Sequence, residues 1–382
     1  MTNQQLFSAG YFFGYFSKCF TGYFRTNSRR NPTGYFRQSW LLATLLISSA
    51  ALLISFPSSA AIESRAQDQP IQSTNMCLYD LIGQNGPMTS VMKDYQTQAL
   101  NWGVHIEFKH YASDRLALED FQSGHCDLVN LPGIRARSFN HFTGTLNAIG
   151  AIPDYQHLKL ILNTLSSPKA AKFMQQDEYE IAAIVPTGAL FGFVIDKELS
   201  HPDKLSGKKI TVLDNTPETK YLIEQTGLIP VPSTINNAIQ KFNNHLVDIT
   251  GAPAVAFELL EMHRGLEPDG GIINWPLHQS TMQLVIRKSK LPESFGQLSR
   301  SYVQQQLEHS FELLNTFEQN IPAKYWIAVN SDIKEKWSEK HRASRLHLRN
   351  QGIYHPTALT LFRKVRCKLT PSLTECSANN KE

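Results

Sequence analysis

The residues of this 382-residue chain with the most obvious chemical potential are thirteen histidines, five cysteines and a few arginines placed near turns. Their spacing does not form a catalytic centre. The chain has no Gly-x-Ser-x-Gly elbow, no Gly-x-x-x-x-Gly-Lys phosphate loop and no Gly-x-Gly-x-x-Gly turn. Ser166-Ser167-Pro168-Lys169 has the form Ser-x-x-Lys, but no Lys-Thr-Gly accompanies it, so it reads as a helix start. His105 and His110 lie five apart on an expected strand and point to opposite faces. With no Cys-x-x-Cys and no paired-histidine spacing, the reading assigns no catalytic residue, no metal and no cofactor.

Binding chemistry is better represented than catalysis. Ligands of open α/β sheets sit beyond the carboxyl ends of the strands, where helix N-termini offer free N–H groups. Four such ends are expected: residues 79–85, 130–135, 214–216 and 250–253. They supply Tyr79, Asp80, Asn85, Asn130, Arg135, Asp214, Asn215 and Pro253 as cleft candidates. Arg137 adds positive charge after the third strand, and Trp275 and Tyr155 add an aromatic wall. Arg287 ends an alternating strand and is a further candidate.

The elements that must position these residues follow from periodicity. Residues 77–81 read as a strand and Gly83-Gln-Asn-Gly-Pro87 as a turn. Met88, Val91, Met92, Tyr95 and Ala99 then recur at helical spacing up to Gly103. Val104, Ile106 and Phe108 alternate as a strand. Ser113 caps a helix reaching Gly124, and 126–130 is a third strand. This β-α-β-α-β order opens a doubly wound parallel sheet.

The segment DFQSGHCDLVNLPG at 120–133 is echoed by KFNNHLVDITGAPA at 241–254, aligning Phe121 with Phe242, Asp127 with Asp248 and Pro132 with Pro253. Each reads as a helix end, a short strand containing Asp and a Pro turn. A second strand–helix set runs from 210 to 250, with Thr216-Pro217 opening a helix that Gly227 ends. The fold class is therefore α/β, with two lobes and a long C-terminal helical part. The apolar runs 180–185 and 190–195 are candidate crossover strands, and helices are expected at 294–319, 331–351 and 356–366. The expected division is 61–186 for lobe one and 187–280 for lobe two, with 281–382 packing back on both.

Residues 40–56 are apolar or small, preceded by arginines and followed by Pro-Ser-Ser-Ala-Ala. These are the parts of an export signal, with an uncleaved anchor as the alternative. Residues 1–39 repeat Gly-Tyr-Phe four times and read as a low-complexity extension. Cleavage near Ala60 would remove Cys19 and leave Cys77, Cys126, Cys367 and Cys376. Four cysteines in an exported chain suggest two disulfides. Three pairings are open. Cys77–Cys126 with Cys367–Cys376 is preferred, because strand order 2-1-3 makes strands one and three neighbours. Charge is uneven: residues 1–60 carry +5 and residues 321–382 carry +7, leaving −8 for 61–320. The net +4 is therefore no sign of a nucleic-acid face.

Several stretches carry a resemblance: Asn85-Gly-Pro, Met92-Lys-Asp-Tyr, Asn101-Trp-Gly-Val, Ala136-Arg-Ser-Phe-Asn-His-Phe-Thr-Gly-Thr-Leu, Ala148-Ile-Gly-Ala-Ile-Pro, Thr281-Met-Gln-Leu-Val-Ile-Arg-Lys, Ile321-Pro-Ala-Lys-Tyr-Trp and Arg363-Lys-Val-Arg-Cys-Lys. Over about 76–376 the chain resembles the AdeT-type family of solute-binding proteins. That family looks like a relative of the solute receptors of tripartite (TRAP) transporters, and some members carry an RND-efflux label. The resemblance implies a two-lobed, periplasmic-binding-protein-like (class II) clamshell that captures a small solute for a membrane transporter; with the export signal, the expected location is the periplasm, and a monomer is expected. The alternative is an accessory of an envelope efflux complex. TRAP receptors usually place a carboxylate-pairing arginine in the strand after Leu-x-Gly-Lys-Lys-Ile. Here Leu205-Ser206-Gly207-Lys208-Lys209-Ile210 leads to Thr211, which puts an organic-acid ligand in doubt unless Arg135, Arg137 or Arg287 takes over. An exported enzyme on the same fold is the weakest reading, since no nucleophile–base pair is visible.

Overall fold

A computed structural model describes residues 71–214 and 216–377. The export segment, the Gly-Tyr-Phe repeats, Cys19 and Asn215 lie outside the described residues.

The first lobe is built as the periodicity predicts. Strand β1 (Gln72–Tyr79), helix α1 (Pro87–Leu100), β2 (Val104–Tyr111), α2 (Asp114–Gln122) and β3 (Leu128–Pro132) follow in order. Both β2 and β3 pair with β1 in parallel. Side chains of β1 alternate between two buried layers: Cys77 and Tyr79 join one apolar cluster, Met76 and Leu78 another. A parallel strand covered on both faces has this pattern. Cys77 and Cys126 form a disulfide with Cα atoms 5.7 Å apart, as the 2-1-3 order allows. Cys367 and Cys376 form the second, at 5.5 Å.

A short helix α3 (Gly133–Ala136) and a longer α4 (Tyr155–Leu165) lead through β4 (Gln175–Gln176) to β5 (Tyr179–Val194). The apolar runs 180–185 and 190–195 thus belong to one continuous 16-residue strand, which crosses the expected 186/187 boundary. Strand β10 (His278–Arg287) lies antiparallel to it, with a register irregularity where Ser280 meets Gly188 and Thr281 meets Pro186. Gly188 has φ +112°, and a Cβ there would come within 3.2 Å of Pro253 Cβ, so a glycine is required at the bend.

The second lobe repeats the first. Strand β6 (Lys209–Leu213), α5 (Pro217–Thr226), β7 (Ile229–Ser233), α6 (Ile235–Asn243) and β8 (Ile249–Pro253) place β7 and β8 parallel to β6. Pro217 opens α5 and Gly227, at φ 70°, closes it. Thr234 and Asn237 cap α6 reciprocally. The sequence echo is a structural one. Asp127 N–H donates to Asn75 O at 2.9 Å while its carboxylate accepts from Thr74 Oγ1 at 3.0 Å. Asp248 N–H donates to Lys209 O at 2.9 Å while its carboxylate accepts from Lys209 N at 2.6 Å. In each lobe an aspartate fastens the start of the third strand to the first, and the echoed Phe121 and Phe242 are both fully buried.

With β9 (Gly271–Ile273) and β11 (Trp326–Ile327), the strands form an eleven-stranded sheet of main order β2-β1-β3-β10-β5-β8-β6-β7. Helix α7 (Phe295–Asn320) runs from lobe one to lobe two. Phe295 packs beside Met76, Leu307 and Phe311 sit in the other lobe-one cluster, and Phe317 packs on lobe two. Leu298 of the same helix is exposed. Helices α8 (Ser331–Asn350) and α9 (Pro356–Leu369) close the fold. Trp337 of α8 donates to Ser200 O in lobe two at 3.1 Å, and Arg345 of the same helix donates to Ile149 O at 3.0 Å.

Candidate functional site

The carboxyl ends of β1, β3, β6 and β8 deliver Tyr79, Pro132, Leu213 and Pro253. Two of the candidate residues, Asn130 and Asp80, act here as positioning groups. Asn130 accepts from Tyr79 N at 2.7 Å and donates to Tyr79 O at 2.8 Å, locking β3 to the end of β1. Asp80 accepts from Ile82 N at 3.0 Å and from Thr89 N at 2.9 Å, which fixes the turn and caps the start of α1. Tyr79 is buried; burial, then Asp114 and Asp80, push its phenol above the ordinary pKa. Pro253 ends β8 opposite Leu190 of β5. Asn85 is exposed on the turn.

The two arginines reach across between the lobes. Arg135, at the end of α3 and 6% exposed, donates Nε to Asp114 Oδ2 at 2.7 Å. Its Nη1 and Nη2 reach Asp214 Oδ2 and Oδ1 at 3.0 and 2.7 Å, a bidentate contact with lobe two. Burial opposes the guanidinium charge, but Asp214 and Asp114 outweigh it, so the Arg135 pKa is raised. The hydrogen bond from Arg135 holds the Asp214 carboxyl below its usual range. Arg137 pairs through Nη2 with Glu218 Oε1 of α5 and lies 5.6 Å from the centre of the Tyr354 ring. His278 and Asn147 stand behind this pair: Asn147 Nδ2 is 3.5 Å from His278 Nδ1 and donates to Gln279 O at 3.1 Å. Burial holds the His278 imidazole below its ordinary pKa.

Three candidates fall elsewhere. Arg287 ends β10 opposite Tyr179, at the amino edge of the parallel strands. It lies five positions along β10 from Met282, the partner of Pro132, or about 17 Å from the strand ends. Its guanidinium lies over Phe121 and Tyr179 and donates to Phe121 O at 2.8 Å. An alternating strand does not reveal which end meets the cleft, and the antiparallel direction of β10 puts Arg287 at the opposite one. Trp275 joins the apolar cluster of lobe two, where it lines a cavity of about 40 Å³ with Trp337 and aliphatic residues. Tyr155 is a tie rather than a wall: it accepts from Ala189 N at 3.0 Å and donates to Glu318.

Asp114, Asn147, Glu218, His278 and Tyr354 were missed as site residues. Glu218 had a signal, since it stands in the first turn of the helix that Thr216-Pro217 opens. Tyr354 had none, because the C-terminal segment returns to lobe one only through tertiary packing.

Two parallel half-sheets flank a shared antiparallel pair, and their strand ends meet across an ion-paired seam. This is the architecture of a two-lobed solute-binding protein. It is similar to a TRAP periplasmic solute-binding protein from Ralstonia eutropha H16 with bound (S)-2-acetolactate, at TM-score 0.64 and 13% identity over 78% of this chain and 99% of that one. One from Desulfovibrio salexigens with bound orotic acid gives 0.63 and 11% over 78% and 99%. At these identities the likeness is one of fold.

The chain belongs to the AdeT 1/2 solute-binding protein family, whose profile (Solute-binding protein AdeT 1/2) matches residues 70–381. It is 38% identical over 303 residues to "Probable solute-binding protein AdeT1" of Acinetobacter baumannii, covering 79% of this chain and 100% of that one. The same organism's "Probable solute-binding protein AdeT2" is 27% identical over 233 residues, covering 61% and 98%.

Proposed function

We propose that this protein is exported to the periplasm, closes its two lobes around a small solute and presents it, as a monomer, to a membrane transporter. The observation that carries the reading is the seam: side chains from the strand ends of both lobes, Arg135 with Asp214 and Arg137 with Glu218, already meet where a captured molecule would lie. The bound small molecules named for the similar TRAP receptors support it. A ligand that binds only the folded state raises stability by mass action, by about 2.7 kcal/mol at a hundredfold excess over Kd. A broad metabolite screen by thermal shift, on protein freed of co-purified ligand, tests this. No shift with any compound would sink it.

Charge favours a second reading, an accessory of an envelope efflux complex. Residues 321–382 carry twelve basic and five acidic side chains, and they include helices α8 and α9. Crosslinking in intact cells followed by pull-down separates the two. Recovery of efflux components with no solute binding would favour the accessory role.

A further inference from the structure

The anion-holding features expected at this cleft are already filled by the chain's own acids. Asp80 occupies the start of α1 by accepting from Thr89 N. Asp114 lies in the first turn of α2, and Glu218 in the first turn of α5. Helix N-termini favour negative charge, and here that charge comes from within. Both arginines of the seam are consumed as well: Arg135 by Asp114 and Asp214, Arg137 by Glu218. Leaving Asp80 aside, Arg135 and Arg137 face Asp114, Asp214 and Glu218, and Arg115, a further cation acting on Asp214, is itself paired with Glu119. Thr211, the first residue after Lys209-Ile210, bonds Thr250 at 2.7 Å and brings no cation.

The unmet hydrogen bonds point the same way. Glu218 is 8% exposed and Asn147 3%, on opposite sides of the seam. Glu218 Oε2 and Asn147 Oδ1 are shut from solvent and have no hydrogen-bond partner, and both only accept. Arg137 Nε, also buried and unpartnered, is one donor beside them. The Tyr354 hydroxyl stands next to Glu218 as a second donor, and the His278 ring lies within electrostatic reach of it. A buried acceptor without a donor costs free energy until something donates to it. An ammonium group offers three donors and the missing positive charge.

We infer that the interlobe cleft is selective for cationic amines, with Glu218 Oε2 and Asn147 Oδ1 as acceptors for the ligand's ammonium group. The inference rests on the capture reading above and gives that site a ligand class. A carboxylate ligand would have to displace Asp214 or Glu218 from its arginine and enter a seam with excess negative charge.

The test is a size-matched panel on ligand-stripped protein, read by thermal shift and calorimetry: 1,4-diaminobutane and spermidine, 1,4-butanediol and glucose, succinate and adipate. The expected result is stabilisation by amines alone. Glu218→Gln should weaken amine binding by roughly tenfold or more, while Glu224→Gln, exposed on the same helix, should leave it unchanged. Should Glu218→Gln fold poorly, Arg137→Gln/Glu218→Gln removes both charges of the pair, and the preference of the unaltered protein stands independently. Shifts confined to acids or to neutral polyols overturn the ligand class and leave capture standing. Amine binding indifferent to Glu218 overturns the site. Silence across this panel and the wider metabolite screen overturns capture itself, and the amine class falls with it.

Discussion

Arg135 Nη1 and Nη2 meet Asp214 Oδ2 and Oδ1 at 3.0 and 2.7 Å, joining a residue of lobe one to a residue of lobe two by a bidentate contact. The two ends differ in setting: the Arg135 side chain is 6% exposed and that of Asp214 is 52%. Asp214→Asn should therefore cost little stability, about 1 kcal/mol or less. Its main effect should be on shape, shifting the lobes toward an open arrangement. Small-angle scattering would show a larger radius of gyration for the variant without ligand, and an unchanged radius would refute the latch.

Removal of Arg135 should be far more damaging, because Asp114 is 3% exposed and would be left as a buried, uncompensated charge. The expected loss for Arg135→Ala is about 3–5 kcal/mol. Urea unfolding should show it, and Asp114→Asn combined with Arg135→Met should recover part of it.

The pH response follows from the same contact. Arg135 lowers the Asp214 pKa in the folded state relative to the unfolded one. Its contribution is therefore present above the unfolded value of about 3.9 and disappears as pH falls through the lower folded value. The melting-temperature gap between wild type and Asp214→Asn should be constant near neutral pH and close in acid. A gap that instead grew as pH fell would contradict the assignment.

Glu318 predicts the opposite sign. Burial raises its pKa, partly offset by the hydrogen bond from Tyr155. The charged form is the disfavoured one, so the carboxylate weakens the fold once pH rises above the unfolded value of about 4.3. Glu318→Gln keeps an oxygen for the Tyr155 hydroxyl and removes the charge. It should raise the melting temperature at neutral pH and change little below pH 4, where both forms are uncharged.

Loop length orders the two disulfides. Cys77–Cys126 closes a separation of 49 residues and Cys367–Cys376 one of 9. The chain-entropy relation gives about 4 and about 2.6 kcal/mol respectively. Paired Cys→Ala variants should rank in that order in urea, and reducing agent should abolish the difference between each variant and the protein it was made from.

Much of this fold was legible in the sequence because its signals are local. Val104, Ile106 and Phe108 alternate, Pro217 and Gly227 bracket a helix, and the Asp127/Asp248 echo marks the same fastening in both lobes. The cysteine pairing was legible because strand order makes it short-range in space. What the sequence hid depends on distant partners. The apolar runs 180–185 and 190–195 read as two strands, although pairing with β10 makes them one. Asp114 and Glu218 look like ordinary first-turn acids until the arginines are placed against them. Arg287 was assigned to the wrong end of its strand because alternation carries no direction.

The course of β5 has a mechanical consequence. It pairs with β10 from Tyr179 to Leu190 and with β8 from Leu190 to Val194, so one strand carries the chain through the bend at Gly188, with a register shift beside it. A pair of lobes joined this way is a flexure, not a pin joint. Any relative movement of the lobes would have to bend this strand, so its cost would depend on sheet curvature rather than on tether length. The resting angle is thus written into the middle of the molecule, and extra residues in surface loops would leave it unchanged.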